Sequence, residues 1–330
     1  RRRALLVLTG LLGVPTTWAM GRVNQVWALT VSSSIVWFLG GIGVSLTNIF
    51  AGLFAGPEER GKVYSFLSLA AGVGGLVGGL ITGPLADRWG YPAMFALLSL
   101  FFLLLPAAAL ALRDPHAGRA LAGQRPAAGG KARLGRGFYA LLAANLIASV
   151  AIYLSGLGRS LNMNRLGFSA AAISSTGAVS SALALPLLPL IGRLSDRLGR
   201  KRFLILGYLI SASGLVALSV SSSLWHFWIA VALGTLASIT ARAIGPALTN
   251  DLLPAESLGR GLGLYSAVES VGAVVGFAGT GHAVQSLGMA PTLIAGAALP
   301  LLSILLLVPV RQAQAAAEPS GPGLEGDPHA

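Results

Sequence analysis

Two ionisable residues, Arg242 and Glu269, stand inside otherwise apolar stretches of this 330-residue chain. A charge at membrane depth costs roughly 2.5–3.5 kcal/mol or more, so such a residue marks a solute pathway or a buried partner. Arg242 lies about four residues past the middle of its segment and Glu269 about four before the middle of the next. At 1.5 Å per residue each sits roughly 6 Å toward the same side, deep enough to pair. Either the pair is broken by a solute or a coupling proton, or it is a fixed bridge of little net stability. Uncharged polar residues within apolar segments add Asn48 beside Thr47, Asn145 and Tyr153, and Thr249 with Asn250. Each can hydrogen-bond a solute or a neighbouring helix.

The elements that must hold these groups are membrane helices. The chain is 54% hydrophobic and 10% charged, against roughly 25% charged in soluble domains. Its apolar residues fall into blocks of about 20, the length that crosses a hydrocarbon core of about 30 Å. Ten segments are predicted, at about 4–20, 26–54, 63–84, 92–112, 138–158, 169–191, 203–222, 225–250, 261–285 and 290–310. The formal charge of +12 lies in the gaps between them and not on a basic folded face, which argues against nucleic acid. No cysteine is present, and His116, His226, His282 and His329 share no ligand-like spacing. Neither a metal site nor a cofactor is expected, and without a cluster of His and carboxylates neither is an enzyme.

Residues 113–137, rich in Arg, Ala, Gly and Pro, read as an interdomain linker, and 312–330 as a disordered tail. They divide the chain into a first half, 1–112, and a second, 138–311. Alternate gaps hold 18 of the 23 Lys and Arg residues, while the opposite gaps hold only Arg22, Arg88, Arg159 and Arg165. Cationic loops stay cytoplasmic during insertion, so the 18-residue set, with the linker and the C-terminus, is assigned to the cytoplasm.

The halves resemble each other at an offset near 200 residues, the internal repeat of many transporters. Arg1-Arg2-Arg3 matches Arg200-Lys201-Arg202, and Pro57-Glu58-Glu59-Arg60-Gly61 with Tyr64 matches Pro254, Glu256, Arg260-Gly261 and Tyr265. Gly83 with Gly90 matches Gly281 with Gly288. The second half opens with two segments that the first lacks. This predicts an N-terminal truncation of about two helices.

Between segments 169–191 and 203–222 runs Gly192-Arg193-Leu194-Ser195-Asp196-Arg197-Leu198-Gly199-Arg200-Lys201-Arg202. A Gly there permits close helix approach, an Asp stands near a helix end, and the cations hold the cytoplasmic surface. This run resembles the signature loop of the major facilitator superfamily, G-x-L-x-D-R-x-G-R-[KR]-[KR], in the copy that lies between helices 8 and 9. The resemblance numbers the ten segments 3 to 12. It implies an all-α, polytopic membrane fold of two pseudo-symmetric bundles, with about ten of twelve helices present. It also implies a monomer of the inner membrane that moves a small-molecule solute by alternating access, with protons as the coupling ion and uptake or efflux open. In such loops ion pairs break and remake as the cytoplasmic side opens. By that analogy Gly192, Arg193, Asp196, Arg197, Gly199, Arg200, Lys201 and Arg202 form a gating motif, with Glu58, Glu59, Arg60, Glu256 and Arg260 as its partners.

In the family helices 1, 4, 7 and 10 line the cavity, which implicates Asn48, Asn145, Tyr153 and Arg242; with Glu269 of helix 11, added for its charge at membrane depth, these are the expected solute or proton site. Two departures qualify the resemblance. Trp37 stands where many proton-coupled members have an Arg before a glycine pair. Gly75, Gly79, Gly83 and Pro84 lack the trailing glycines of the drug-antiporter motif, so their spacing is read as close helix packing. A second run, Gly83 to Gly90 with Asp87 and Arg88, resembles the signature but lies on the external side by parity and lacks the trailing cations. Asp87 and Arg88 therefore read as an external helix-end pair. The alternative to transport is a membrane receptor or assembly protein on the same fold.

Overall fold

The computed structural model describes residues 2–54, 59–111 and 134–310; Glu58, most of the 113–137 linker and the 312–330 tail lie outside them. The described residues form ten α-helices: α1 (Arg2–Met20), α2 (Val26–Phe54), α3 (Arg60–Phe101), α4 (Leu104–Ala111), α5 (Arg136–Arg165), α6 (Ala170–Leu198), α7 (Arg200–Ser219), α8 (Leu224–Leu252), α9 (Ala255–Leu287) and α10 (Met289–Leu307). No strand occurs among them. Among the described residues nine stretches are long and apolar enough to cross a membrane. One of these, Phe66–Leu110, has 45 residues, roughly 67 Å of helix for a core of about 30 Å. It is two crossings joined at Gly90, whose φ of 77° and ψ of 166° interrupt the helix. The chain is a multi-pass membrane protein, and the ten predicted segments map in order onto these ten crossings.

The turn at Gly90 has a counterpart. Gly288, between α9 and α10, has φ 88° and ψ 169°. This corner of backbone space is essentially closed to residues with a Cβ. Two glycines 198 positions apart thus make the same tight reversal between consecutive crossings in the two halves, which is the internal repeat expressed as geometry. A third, Gly199 with φ 88°, lets α6 turn directly into α7.

Helices α1 to α4 pack as one bundle and α5 to α10 as the other. The second bundle holds a core around Phe138, Leu141, Leu204, Ile244, Leu248 and Leu307, and another around Met163, Leu215, Phe227 and Leu293. The first has a small cluster of Leu6, Leu46, Phe50 and Ala109. The halves meet chiefly where α3 packs along α6.

Segment boundaries moved where a charged residue had suggested a helix end. Helix α5 runs through Arg165 and α6 through Leu198, so Arg159, counted above as an external loop cation, lies within a helix. A long Arg stem can stay in a helix and carry its charge toward a polar space, so charge alone does not end a membrane helix.

Candidate functional site

The α3–α6 contact is built from small residues. A methyl placed on Gly79 would come 2.6 Å from the backbone nitrogen of Ala178 and 3.0 Å from its Cα, and one on Gly75 would come 2.5 Å from Ser181 Oγ. Gly83 meets Ala171 in the same way, at 2.5 Å from its Cα. The spacing of Gly75, Gly79 and Gly83 therefore serves close packing, and its partner is the opposite bundle.

At the end of this contact Asp87 bridges the halves. Its two carboxylate oxygens each accept a hydrogen bond, from the backbone N–H of Ala170 at 2.8 Å and of Ala171 at 2.8 Å. The next amide, Ala172 N–H, donates to Ser169 Oγ at 3.2 Å. A helix N-terminus has free amides and a positive dipole end, so a carboxylate there is favoured twice over. Asp87 thus caps the opposite bundle's helix, and the recorded bonds join it to α6, not to the adjacent Arg88. The run that looked like a stray copy of a signature motif is a clasp.

Toward the other, basic end of the bundles the close register stops. One turn beyond Gly72, Ser68 and Leu69 of α3 face Leu188 and Pro189 of α6 across a cleft that also takes in Arg242. A narrower pocket continues inside the second bundle, lined by Arg159, Ser155 and Ser211. Ser180, Thr235 and Ser238 line both. Ser180 and Thr235 share a hydrogen bond of 2.7 Å between hydroxyls on α6 and α8. On the first bundle's side Ser68 also lines a recess with Thr47 and Asn48. Closed by glycines and a carboxylate at one end and open at the other, the molecule holds a space between its halves whose apolar walls carry Arg242 and several hydroxyls.

The expected site residues distribute over this frame unevenly. Arg242 lines the cleft and Asn48 the recess. Asn145 is buried, and its Nδ2 donates to the Tyr265 carbonyl at 3.2 Å, joining α5 to α9. Tyr153 stacks against Phe277 at 5.2 Å between ring centroids. Glu269, half-buried on α9, forms no ion pair with Arg242 among the described residues. Equal depth along two helices does not bring side chains together unless the helix faces also agree.

In the motif expected to gate, Arg200 Nη1 pairs with Asp251 Oδ1 at 2.6 Å and donates to the Ala247 carbonyl at 3.2 Å, so this cation ties α7 to the end of α8. Lys201 Nζ donates to the carbonyls of Val308 and Val310 at 2.8 and 2.7 Å, completing the end of α10. Arg193 and Arg197 are exposed, as are Glu59, Glu256 and Arg260. Arg202 is exposed at the start of α7. The side chains of Asp196 and Arg60, like the packing around Gly192, lie outside the described ones.

Sequence reasoning passed over Asp87 as a clasp, Arg159 as a pocket residue and Asp251 as a partner of Arg200. Only Asp251 had a usable signal, since it falls one residue past a predicted segment on the same side as the motif.

Comparison with known proteins adds to this geometry. A family model described as Major Facilitator Superfamily matches residues 1–164 and 137–327. The lysosomal dipeptide transporter MFSD1 of Mus musculus is 24% identical over 321 residues, covering 90% of this chain and 69% of that protein. The human protein of the same name is 28% identical over 163 residues, 48% of this chain and 35% of its own length. Multidrug resistance protein MdtG of Enterobacter lignolyticus is 25% identical over 238 residues, 68% of this chain and 55% of its own. The chain thus spans between 35% and 69% of the length of these relatives. Among solved structures, a peptide transporter POT has a TM-score of 0.71 at 14% identity, covering 93% of this chain and 79% of that one. A bacterial homolog to the human lysosomal transporter Spinster gives 0.66 at 17% identity, with 92% and 79% covered. At such identities the structural likeness speaks for the fold.

Proposed function

The chain belongs to the major facilitator superfamily, and from that premise we propose that it works as a secondary transporter of a small solute by alternating access. One observation carries the reading: the two bundles are fastened at one end by Asp87 and the glycine register, and stand apart at the other around an Arg-lined cleft. Alternating access requires that asymmetry to invert. The clasp must release the α6 N-terminus while the cleft closes at its basic end.

The basic end is assigned to the cytoplasm, where the gating motif lies, and the Asp87 end to the outside. Lys201 and Arg200 hold the motif against α10 and α8 of their own bundle. The motif therefore moves with the second bundle, and Glu59 and Arg60, at the start of α3, are the first bundle's groups that can meet it as the cleft closes. Protons are the proposed coupling ion, with Glu269 as the acceptor within the membrane. The inner membrane and a single-chain working unit complete the reading. It assigns no covalent step to the chain.

The sequence contains no cysteine, so single thiols can report which end is open. In proteoliposomes, Ser68→Cys in the cleft is expected to react with a small maleimide faster than Ser174→Cys beside the clasp. Adding Asp87→Ala should raise labelling at Ser174→Cys and lower it at Ser68→Cys. Unchanged rates at both would remove the clasp from the mechanism. Solute flux tests the function itself: counterflow of a dipeptide panel should saturate, whereas solute binding without any flux would favour a receptor.

A further inference from the structure

Arg159 has no part in that reading, yet it is placed for one. It lies on α5 six residues before the helix ends at Arg165. The residue is half-buried, and its Nε is shut off from solvent with no hydrogen-bond partner. The pocket it lines offers Ser155, Ser180, Ser211, Thr235 and Ser238 but, among the described residues, no carboxylate. Hydroxyls donate to an anion or accept from a cation, but they do not neutralise a guanidinium that stays charged at every physiological pH. A partly buried cation with a buried, unpartnered N–H and no opposite charge nearby carries a desolvation cost. Apolar packing would fill the same space at less expense, so the charge is better explained by what it meets than by what it supports.

A path leads to it. Thr235, Ser238 and Arg242 lie on α8 at steps of three and four, one face of the helix. Arg242 is 18 residues from the start of α8, and Arg159 is six from the end of α5, which lies on the same side. By helical rise the two are roughly 18 Å apart along the bundle axis, too far for one small acid group to touch both. Arg242, in the wide cleft, is also without a carboxylate among the described lining residues.

We propose that Arg159 is the deep carboxylate-binding residue of this cavity, and that the transported solute is a small organic acid that reaches it past Arg242 along Ser238, Thr235 and Ser180. The proposal rests on the transporter reading and narrows its solute class. The guanidinium fork matches a carboxylate with two parallel hydrogen bonds, and the pocket hydroxyls serve the acid's remaining polar atoms. Arg242, nearer the mouth, raises the local concentration of anions without fixing their pose.

The full chain in detergent should bind L-alanyl-L-alanine about tenfold more tightly than its C-terminal amide, as read by calorimetry. Arg159→Gln should abolish that preference, and Arg159→Lys should keep part of it, since charge survives but the fork does not. Arg242→Gln should leave equilibrium preference nearly intact while slowing association and flattening its salt dependence. Without solute, Arg159→Gln should melt no earlier than the parent, because no bond is lost. A variant that melts much earlier makes Arg159 a structural residue and overturns the proposal. So does equal binding of acid and amide by the parent, preference that survives Arg159→Gln, or no binding of alanyl-alanine or succinate below about 10 mM. Inorganic phosphate binding that depends on Arg159, with no carboxylate binding, would replace the proposed class with phosphate. Saturable flux of uncharged solutes with no preference for acids would end this inference and leave the transporter reading standing. Arg159-dependent acid binding without flux would do the reverse.

Discussion

The two halves of the molecule share a turn and little of their interior. Gly90 and Gly288 reverse the chain with nearly identical backbone angles. Around those turns, however, among the described residues the second half packs two apolar cores, whereas the first has one cluster of four buried residues and leaves Trp27, Trp37 and Phe38 between 68% and 79% exposed. The polar equipment is equally one-sided. Arg159, Arg242 and the hydroxyls of α6 and α8 come from the second half, and Ser68, Thr47 and Asn48 from the first. A repeated fold is thus maintained by the few positions where the backbone has no alternative. The interior between them is free to diverge, one half toward a more closely packed core and the other toward a sparser one.

The strongest way to break this comparison is to remove equivalent volume from both cores. Leu204→Ala, at a fully buried position, should cost about 2–5 kcal/mol in unfolding free energy and lower the melting temperature well below that of Leu46→Ala. Equal losses would show that the first half is as tightly packed in the bilayer as the second. The turns come next. Gly90→Ala and Gly288→Ala should each cost about 1–3 kcal/mol. A methyl at Gly288 meets nothing within 4 Å and one at Gly90 meets only Pro92 Cδ at 3.5 Å, so the cost is backbone strain and should be the same in both halves by thermal unfolding. A large difference would mean that packing, not conformation, holds the turns.

Smaller effects sharpen the picture inside the second half. Asn145→Ala removes the bond to the Tyr265 carbonyl and should cost about 0.6 kcal/mol and no more than about 1.7, seen as faster hydrogen exchange where α5 meets α9. Smallest is Asp251→Asn, at a pair whose side chains are 32% and 34% exposed, worth about 0.2–1 kcal/mol and weaker still at high salt. If that substitution instead halts flux while leaving melting unchanged, Arg200 and Asp251 belong to the gating step.

Much of the architecture was legible because membrane helices announce themselves. Length, apolarity and the 18 to 4 division of cations give the ten crossings, and the offset near 200 residues gives their repeat. The site was less legible. Arg242 could be named because a charge within an apolar run is rare, but its expected contact with Glu269 depended on which way two helices face, and periodicity in a uniformly apolar segment says little about facing. Asn145 looked the same in sequence as a cavity residue, and only the Tyr265 carbonyl opposite it reveals a structural bond. Arg159 was hidden by the rule that a charge ends a segment. Asp87 was hidden because its partners are backbone amides of another helix, which carry no sequence signature.

The α3–α6 register has a mechanical consequence. Because Gly79 and Gly83 bring α3 almost onto the backbone of α6, with Asp87 fixed just beyond, that contact resists sliding and leaves rotation as the compliant motion. Ser68 lies 15 residues from Gly83, a lever arm of roughly 22 Å, so tilting one helix by roughly 10° about the glycines displaces the mouth by roughly 4 Å. A pivot placed so near one end turns a shift of roughly 1 Å at the clasp, four residues from Gly83, into one of roughly 4 Å at the other end.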